Sequence, residues 1–169
     1  MPKFKPLPSL QRVQKLLSYD SETGKFRWKH SVARWIKPGD EAGTYGKYAI
    51  SITIDRKRYV AHRIAWLLQT EKDPAGLLID HIDGNPHNNA FANLRLATSG
   101  QNQCNQKTRN DNTSGLKGVS WSKERQKWQA GIQVNGKRIA LGRFNTKEEA
   151  YAAYCKAARK LHGEFARLA

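Results

Sequence analysis

Asn135-Gly136 constrains the fold of this chain more than any other pair of residues. Both residue types accept positive φ, and they sit between two β-like runs, Trp128–Val134 and Lys137–Phe144. That arrangement calls for a tight two-residue hairpin. Thr146-Lys147-Glu148-Glu149 follows as a capping box, and it opens a helix whose Ala150, Ala153, Tyr154, Ala157, Ala158 and Leu161 fall on one face. Gly163 ends that helix. With Lys117–Trp121 as a third run, a three-stranded antiparallel sheet covered by one helix accounts for nearly every residue from 116 to 162.

The first two thirds of the chain read differently. Residues 1–9 are rich in Pro and Lys and predict irregular chain, and Leu10, Val13, Leu16 and Leu17 predict a short helix over 9–18. A turn at Tyr19–Gly24 leads to β-like runs at Lys25–Trp28, Tyr48–Ile54 and Arg58–Ala61, with Asp55-Arg56-Lys57 turning between the last two. His62–Gln69 reads as a helix that stops near Asp73-Pro74. Strands Leu77–Ile82 and Asn93–Ala97 make a hairpin with a wide loop, and Thr98 caps a helix over 99–106. The polar, breaker-rich stretch 107–115 is the natural linker. The expectation is an α+β chain with an N-terminal part at 1–106, a linker at 107–115 and a small sheet-and-helix domain at 116–169.

Charge narrows the partners. The 169 residues carry a net charge of +16. Residues 1–110 hold 18 basic against 9 acidic groups, and 111–169 hold 12 against 5, so each half has its own basic excess. Neutralisation of a nucleic-acid backbone is one reading, and a basic ribosome-associated protein is another; charge alone does not separate them. Cys104 and Cys155 are the two cysteines, which excludes a four-thiolate zinc site and argues against a disulfide framework. No apolar run reaches membrane-spanning length and the N-terminus lacks a signal peptide's apolar core, so no membrane partner and a cytoplasmic setting are expected.

Chemistry concentrates in Ile79-Asp80-His81-Ile82-Asp83-Gly84-Asn85, followed by Asn93-Leu94-Arg95-Leu96 and Gln101-Asn102. Hydrolysis of a phosphodiester needs an activated water, an electrophile and help for the leaving oxygen, and a divalent ion supplies the last two. Asp80, at a strand end, offers the hard oxygen that Mg²⁺ prefers. His81 points to the other face of an extended strand, which suits division of labour: Asp80 holds the ion and His81 reaches the water. Asn102, on the next helix, can supply a carbonyl oxygen as second ligand while keeping the site weakly negative.

This set resembles the HNH (ββα-metal) nucleases, in particular the branch found in phage-encoded homing endonucleases. The resemblance rests on Asp80-His81, Asn93 and Asn102, with Ile82-Asp83-Gly84-Asn85, Asn89 and Leu94-Arg95 around them and His62-Arg63 and Trp66 upstream. It implies a ββα-metal core at about 77–106 with added strands before it, His81 as general base, Asn93 hydrogen-bonding across the loop to help hold the histidine, and Asp80 and Asn102 as metal ligands. Mg²⁺ is the implied cofactor, with Mn²⁺ able to substitute. Beside these, Asp83-Gly84 and Asn88-Asn89 read as turn formers, His87 as a solvated loop residue and His62 as structural. Arg95 fits a phosphate clamp and a surface salt bridge equally well, and His30 and His162 carry no signal.

The segment 113–168 is similar to the DNA-binding domain of plant ethylene-response factors, the APETALA type. Leu116–Val119, Trp128-Gln129-Ala130, Leu141–Phe144, Glu148–Tyr154 and His162–Leu168 carry the likeness. It implies that the sheet enters the major groove with the helix behind it. Lys117, Lys123, Arg125, Lys127, Gln133, Arg138 and Arg143 are the candidate DNA contacts, arginine and glutamine reading base edges and lysines meeting phosphate. Ser120, Gln133 and Ala140 depart from the plant pattern, so the plant target sequence does not transfer.

Together these imply a metal-dependent DNA endonuclease of homing type, an HNH enzyme acting on double-stranded DNA without a small-molecule cofactor, in the bacterial host's cytoplasm if phage-encoded. One evident active site predicts a monomer that nicks. The alternative is a non-catalytic sequence-specific DNA-binding regulator, which would leave the Asp80, His81, Asn93 and Asn102 set without a use.

Overall fold

A computed structural model describes residues 5–108 and 111–168. The chain divides into two compact units, 1–97 and 98–169, and its architecture is α+β with small antiparallel sheets.

In the first unit, α1 (Leu10–Leu16) is capped by the Ser9 hydroxyl and passes directly into β1 (Leu17–Tyr19). β1 pairs antiparallel with β2 (Phe26–Trp28). A second sheet runs in the order β3 (Thr44–Tyr45), β4 (Ile50–Ile54), β5 (Lys57–Val60). The expected run from Tyr48 starts later, at Ile50, because Gly46–Ala49 form a closed turn in which the Gly46 amide donates to the Ala49 carbonyl at 3.0 Å. The β4–β5 connection is tighter than expected: Asp55 and Arg56 both take positive φ, 49° and 62°, and Lys57 already belongs to the strand. Such a two-residue turn matches the twist of its strands. Arg12 of α1 grips Asp55 at 2.6 Å across this turn.

α2 (Ala61–Thr70) follows β5 without a loop and ends at Glu71 in the left-handed conformation. Its apolar face, with Ile64, Ala65 and Leu67, joins Val13, Leu17, Phe26, Trp28, Ile52 and Ile54 in one core. Arg63, on the same helix, is buried; it donates to Asp73 at 2.9 Å and to the Leu77 carbonyl at 3.2 Å. A cation buried in this way needs such partners, and the bonds fix where the next strand begins. That strand, β6 (Leu78–His81), pairs with β7 (Leu94–Ala97) through a long loop that ends in a 3₁₀ turn at Phe91–Asn93.

The Asp20 turn holds that loop from outside. Its carboxylate accepts from the Glu22 and Thr23 amides and the Thr23 hydroxyl. Tyr19 then donates its hydroxyl to the Asn89 carbonyl at 2.8 Å, and the Ser21 carbonyl accepts from the Phe91 amide at 2.8 Å. Gly24, at φ +72°, lies so close that a Cβ would stand 2.3 Å from both the Ala90 nitrogen and the Asn89 carbonyl carbon.

The second unit starts with α3 (Ser99–Cys104), opened by a Thr98/Gln101 capping box. The stretch 107–115 lies within this unit, and Arg109 and Asn110 of it are outside the described residues. Its polar residues bond locally: Asn112 accepts from the Ser114 and Gly115 amides, and the Ser114 hydroxyl reaches the Val119 carbonyl at 2.8 Å. Short polar side chains that resemble breakers thus order the chain at Asn112–Gly115. β8 (Val119–Ser122), β9 (Lys127–Val134) and β10 (Lys137–Phe144) form one antiparallel sheet, with Asn135-Gly136 at φ 50° and 79° in the expected turn. A bulge between Ala140 and Gly142 lets Leu141 join the core. α4 (Lys147–His162) packs Ala150, Tyr154 and Ala158 onto the sheet.

Gly24→Ala would force a side chain into backbone at a positive φ. A loss of at least about 2 kcal/mol is expected, read as a lower urea midpoint for the first unit; an unchanged midpoint would show that the two turns are not in register as described.

Candidate active site and nucleic-acid face

β6 and β7 present Asp80 opposite Arg95 and His81 opposite Leu94. The Asp80 side chain is 6% exposed, and Arg95 donates to its Oδ2 from Nε at 2.9 Å and Nη2 at 2.8 Å. The sequence left Arg95 open between phosphate clamp and surface salt bridge. It is neither a loose surface pair nor directed outward: cross-strand register places it against a buried carboxylate, which needs a charge partner.

His81 is 8% exposed, and its Nε2 lies 3.0 Å from Asn89 Oδ1. Asn89 is 1% exposed, and its Nδ2 is buried with no hydrogen-bond partner. Asn88-Asn89 read as a turn pair in the sequence, and only half of that holds. Asn88 serves the loop, while Asn89 turns inward onto the histidine. Residue type alone does not separate the two uses, since both call for a short amide, although Asn89 is among the residues that carry the nuclease resemblance. The His62 ring, from α2, stands edge-on to His81 with centroids 5.1 Å apart. Burial pushes the His62 imidazole down to about 3, with the charges of His81 and Arg63 adding to the effect, and its Nδ1 is buried without a partner.

Asn93 spends its side chain on the loop. Its Oδ1 accepts from the Asp83 amide at 3.0 Å, and its Nδ2 donates to Asp83 Oδ1 at 3.0 Å and to the Asn88 carbonyl at 2.8 Å. Asn88 donates to the other Asp83 oxygen at 2.7 Å. Burial raises the Asp83 carboxyl, but hydrogen bonds from the Asn85 amide, Asn88 and Asn93, with the charge of His81, outweigh it and bring it below the usual range. His87 is exposed, as expected, and its Nε2 donates to the Gly46 carbonyl at 2.7 Å. Asn102 lies half-buried on α3, in the second unit.

The donor chemistry bears on a metal. No group of three or more His, Cys, Asp or Glu gathers among the described residues. The Asp80 carboxylate is a hard oxygen donor, the kind that divalent cations such as Mg²⁺ take while keeping several waters.

In the second unit, alternation along the strands places Lys127, Gln129, Gly131 and Gln133 of β9 on the face away from Ala130 and Ile132, which pack toward α4. Their partners Arg143, Ala140 and Arg138 in β10 share that face, as does Ser120 of β8. The sheet thus has one polar, basic side, with small residues at its centre. Lys127 donates to Asn145, and Lys123 and Arg125 lie in the exposed β8–β9 turn. Gln129 completes the face and was not singled out in the sequence, although its alternation with Ala130 carried the signal. Lys117 stands apart. Its ammonium donates to the Cys104 and Gln106 carbonyls at 2.7 and 2.6 Å, and burial pulls its pKa down.

A hairpin whose first strand ends in Asp-His, whose return is braced by Asn and which a short helix follows is the arrangement of ββα nucleases. A family model described as HNH endonuclease matches residues 59–104, and one described as AP2 domain matches 114–164. The chain is 45% identical over 108 residues to Protein 3.8 of Escherichia phage T7, spanning 63% of this chain and 87% of that protein. It is 34% identical over 137 residues to an uncharacterized HNH endonuclease of Acanthamoeba polyphaga mimivirus, spanning 80% of this chain and 71% of that one. The chain belongs to the phage-type HNH endonuclease family and carries an AP2-type domain. Both domains are of DNA-binding kinds, and no helix among the described residues is long and apolar enough to cross a membrane.

The depressed His62 pKa has a stability consequence. The unfolded chain takes up a proton near 6.5 and the folded one near 3. The contribution is therefore whole above pH 6.5 and falls as the pH drops toward 3, by about 1.4 kcal/mol per unit, or about 2 kcal/mol at pH 5. Urea denaturation at pH 7 and pH 5 should show the wild type losing about that much more than His62→Gln; equal losses would mean that the imidazole is not buried neutral.

Proposed function

We propose that this protein is a homing-type endonuclease that hydrolyses phosphodiester bonds of double-stranded DNA at a selected site, with one divalent ion. The observation that carries this reading is the buried Asp80-His81 pair, its carboxylate held by Arg95 and its imidazole by Asn89. Asp80 and Asn102 are the proposed ligands, for Mg²⁺ in the cell with Mn²⁺ as a substitute. When bound, such an ion supplies positive charge for the pentavalent phosphorus and the leaving oxygen.

The chain's own residues do the rest. An amide oxygen can only accept, so contact with Asn89 Oδ1 places the proton of neutral His81 on Nε2 and leaves the lone pair on Nδ1. That nitrogen is the one assigned to take the proton of the attacking water. Asn93 acts one step removed, keeping the loop closed so that Asn89 is delivered to the ring. Arg95 balances Asp80 in its buried seat.

The open face of the C-terminal sheet supports a role in site selection. Arg138, Arg143 and Gln133 are proposed to meet base edges, and Lys123, Arg125 and Lys127 phosphates. Lys117 is assigned to packing instead, because its ammonium is taken up by main-chain carbonyls. The protein is proposed to work as a monomer in the bacterial host's cytoplasm, where a single active site gives a nick.

Supercoiled plasmid and phage genomic DNA with Mg²⁺ or Mn²⁺ test the reading. Nicking that EDTA abolishes and His81→Ala lowers by about a hundredfold or more is expected, with Asn89→Leu losing most activity and Asn89→Asp recovering part. Absence of any nick with either metal would remove the enzyme and favour the DNA-binding regulator. On the sheet, Lys123→Ala with Lys127→Ala should weaken binding in gel shifts and reduce the salt slope by about two; an unchanged slope would exclude this face.

A further inference from the structure

The turn between β3 and β4 carries aromatic rings where folding has no use for them. Tyr48 is 77% exposed and Tyr45 is 59% exposed, on either side of Gly46-Lys47. Turn tips ordinarily take Gly, Asn, Asp or Ser, and a ring left in water adds nothing to the core. Yet both rings are held in place. The Tyr45 hydroxyl donates to Glu41 at 2.8 Å, and its ring meets the edge of His87 with centroids 5.6 Å apart. The Lys47 ammonium stands 5.2 Å from the centre of the Tyr48 ring.

His87 ties this turn to the loop that starts at His81. Its Nε2 donates to the Gly46 carbonyl, and its own amide donates to Asn85 Oδ1. Asn85 in turn donates its amide to Asp83, the residue that Asn93 braces. The turn is therefore connected, bond by bond, to the segment that holds the candidate base.

We propose that the Gly46–Ala49 turn is a wedge for DNA, with Tyr48 stacking on a nucleobase at the step beside the cleaved phosphate and Lys47 on the adjoining backbone. This rests on the nuclease reading of the His81 loop. Every nucleobase presents a π face, so stacking accepts any sequence, and a ring with two torsions loses little freedom on contact. Inserted side chains of this kind open a base step and bend the duplex. A wedge next to the cut would hold the scissile phosphate away from regular helical geometry, whichever site the C-terminal sheet selects.

The experiment uses the full-length protein and a restriction fragment of the nicked plasmid substituted throughout with 5-iododeoxyuridine. Irradiation in EDTA traps rings stacked on iodouracil without cutting, and the same fragment with Mg²⁺ maps the cut. The expected result is a Tyr48 crosslink to a base at the step flanking the cut. Tyr48→Leu should lose that crosslink and bind about fivefold or more weakly, while the urea midpoint stays where it was. Crosslinks confined to residues 116–169 or lying far from the mapped cut would overturn the proposal, as would Tyr48→Leu protein that binds and cuts like wild type. A fragment that wild type never cuts defeats the nuclease reading and the wedge's place beside a cut with it. A cut fragment with Tyr48 uncrosslinked defeats the wedge alone.

Discussion

Between His81 and Leu94 the chain leaves its sheet and must return in register, and the Asn93–Asp83 clasp governs that return. One amide side chain satisfies an amide, a carboxylate and a carbonyl of the same loop. Without it the loop would have polar backbone to satisfy and no reason to close at one length. With it, Ala90 and Asn89 come to rest against Gly24, and the Asn89 amide meets the His81 ring. Register on the strands and closure of the loop are thus one problem solved by one residue. The polar network is dense because the segment contributes little apolar surface of its own.

A buried amide with an unpartnered Nδ2 is costly, at about 1–3 kcal/mol. A leucine would fill the Asn89 position at less expense if packing were its only task. That the chain carries an asparagine there argues for a directional role toward the imidazole. Arg95 illustrates the reverse case, in which a side chain able to reach a phosphate is committed to a carboxylate inside the protein. The same holds for Lys117 in the second unit. Positive charge in this chain is therefore of two kinds, inward for assembly and outward for ligand, and a charge count does not distinguish them.

Much of this was readable from residues alone. Asn135-Gly136, the Thr146/Glu149 box and the alanine stripe defined the second unit because each is a local signal with one structural answer. The hairpin that carries Asp80 and His81 was readable from spacing. What escaped were features set by tertiary register. Asn89 and Asn88 look alike in sequence, and only the clamp from the Asp20 turn decides which faces inward. The tight Asp55-Arg56 turn lacked its usual glycine, since Arg12 from a distant helix steadies it. The stretch 107–115 had a linker's composition, but at Asn112–Gly115 the asparagine and serine bond to the neighbouring backbone.

Helix α3 carries a further implication. It is six residues long, too short to persist alone in water, and its described side-chain and carbonyl bonds lie within the C-terminal unit: the Cys104 thiol against His162 at 3.2 Å, and the Cys104 carbonyl on Lys117. The helix bearing Asn102 is therefore seated by residues made up to 58 positions later in synthesis. A nascent chain, or one clipped within the sheet domain, carries the sequence of α3 without that seat. Folding of the helix is therefore coupled to completion of the sheet domain.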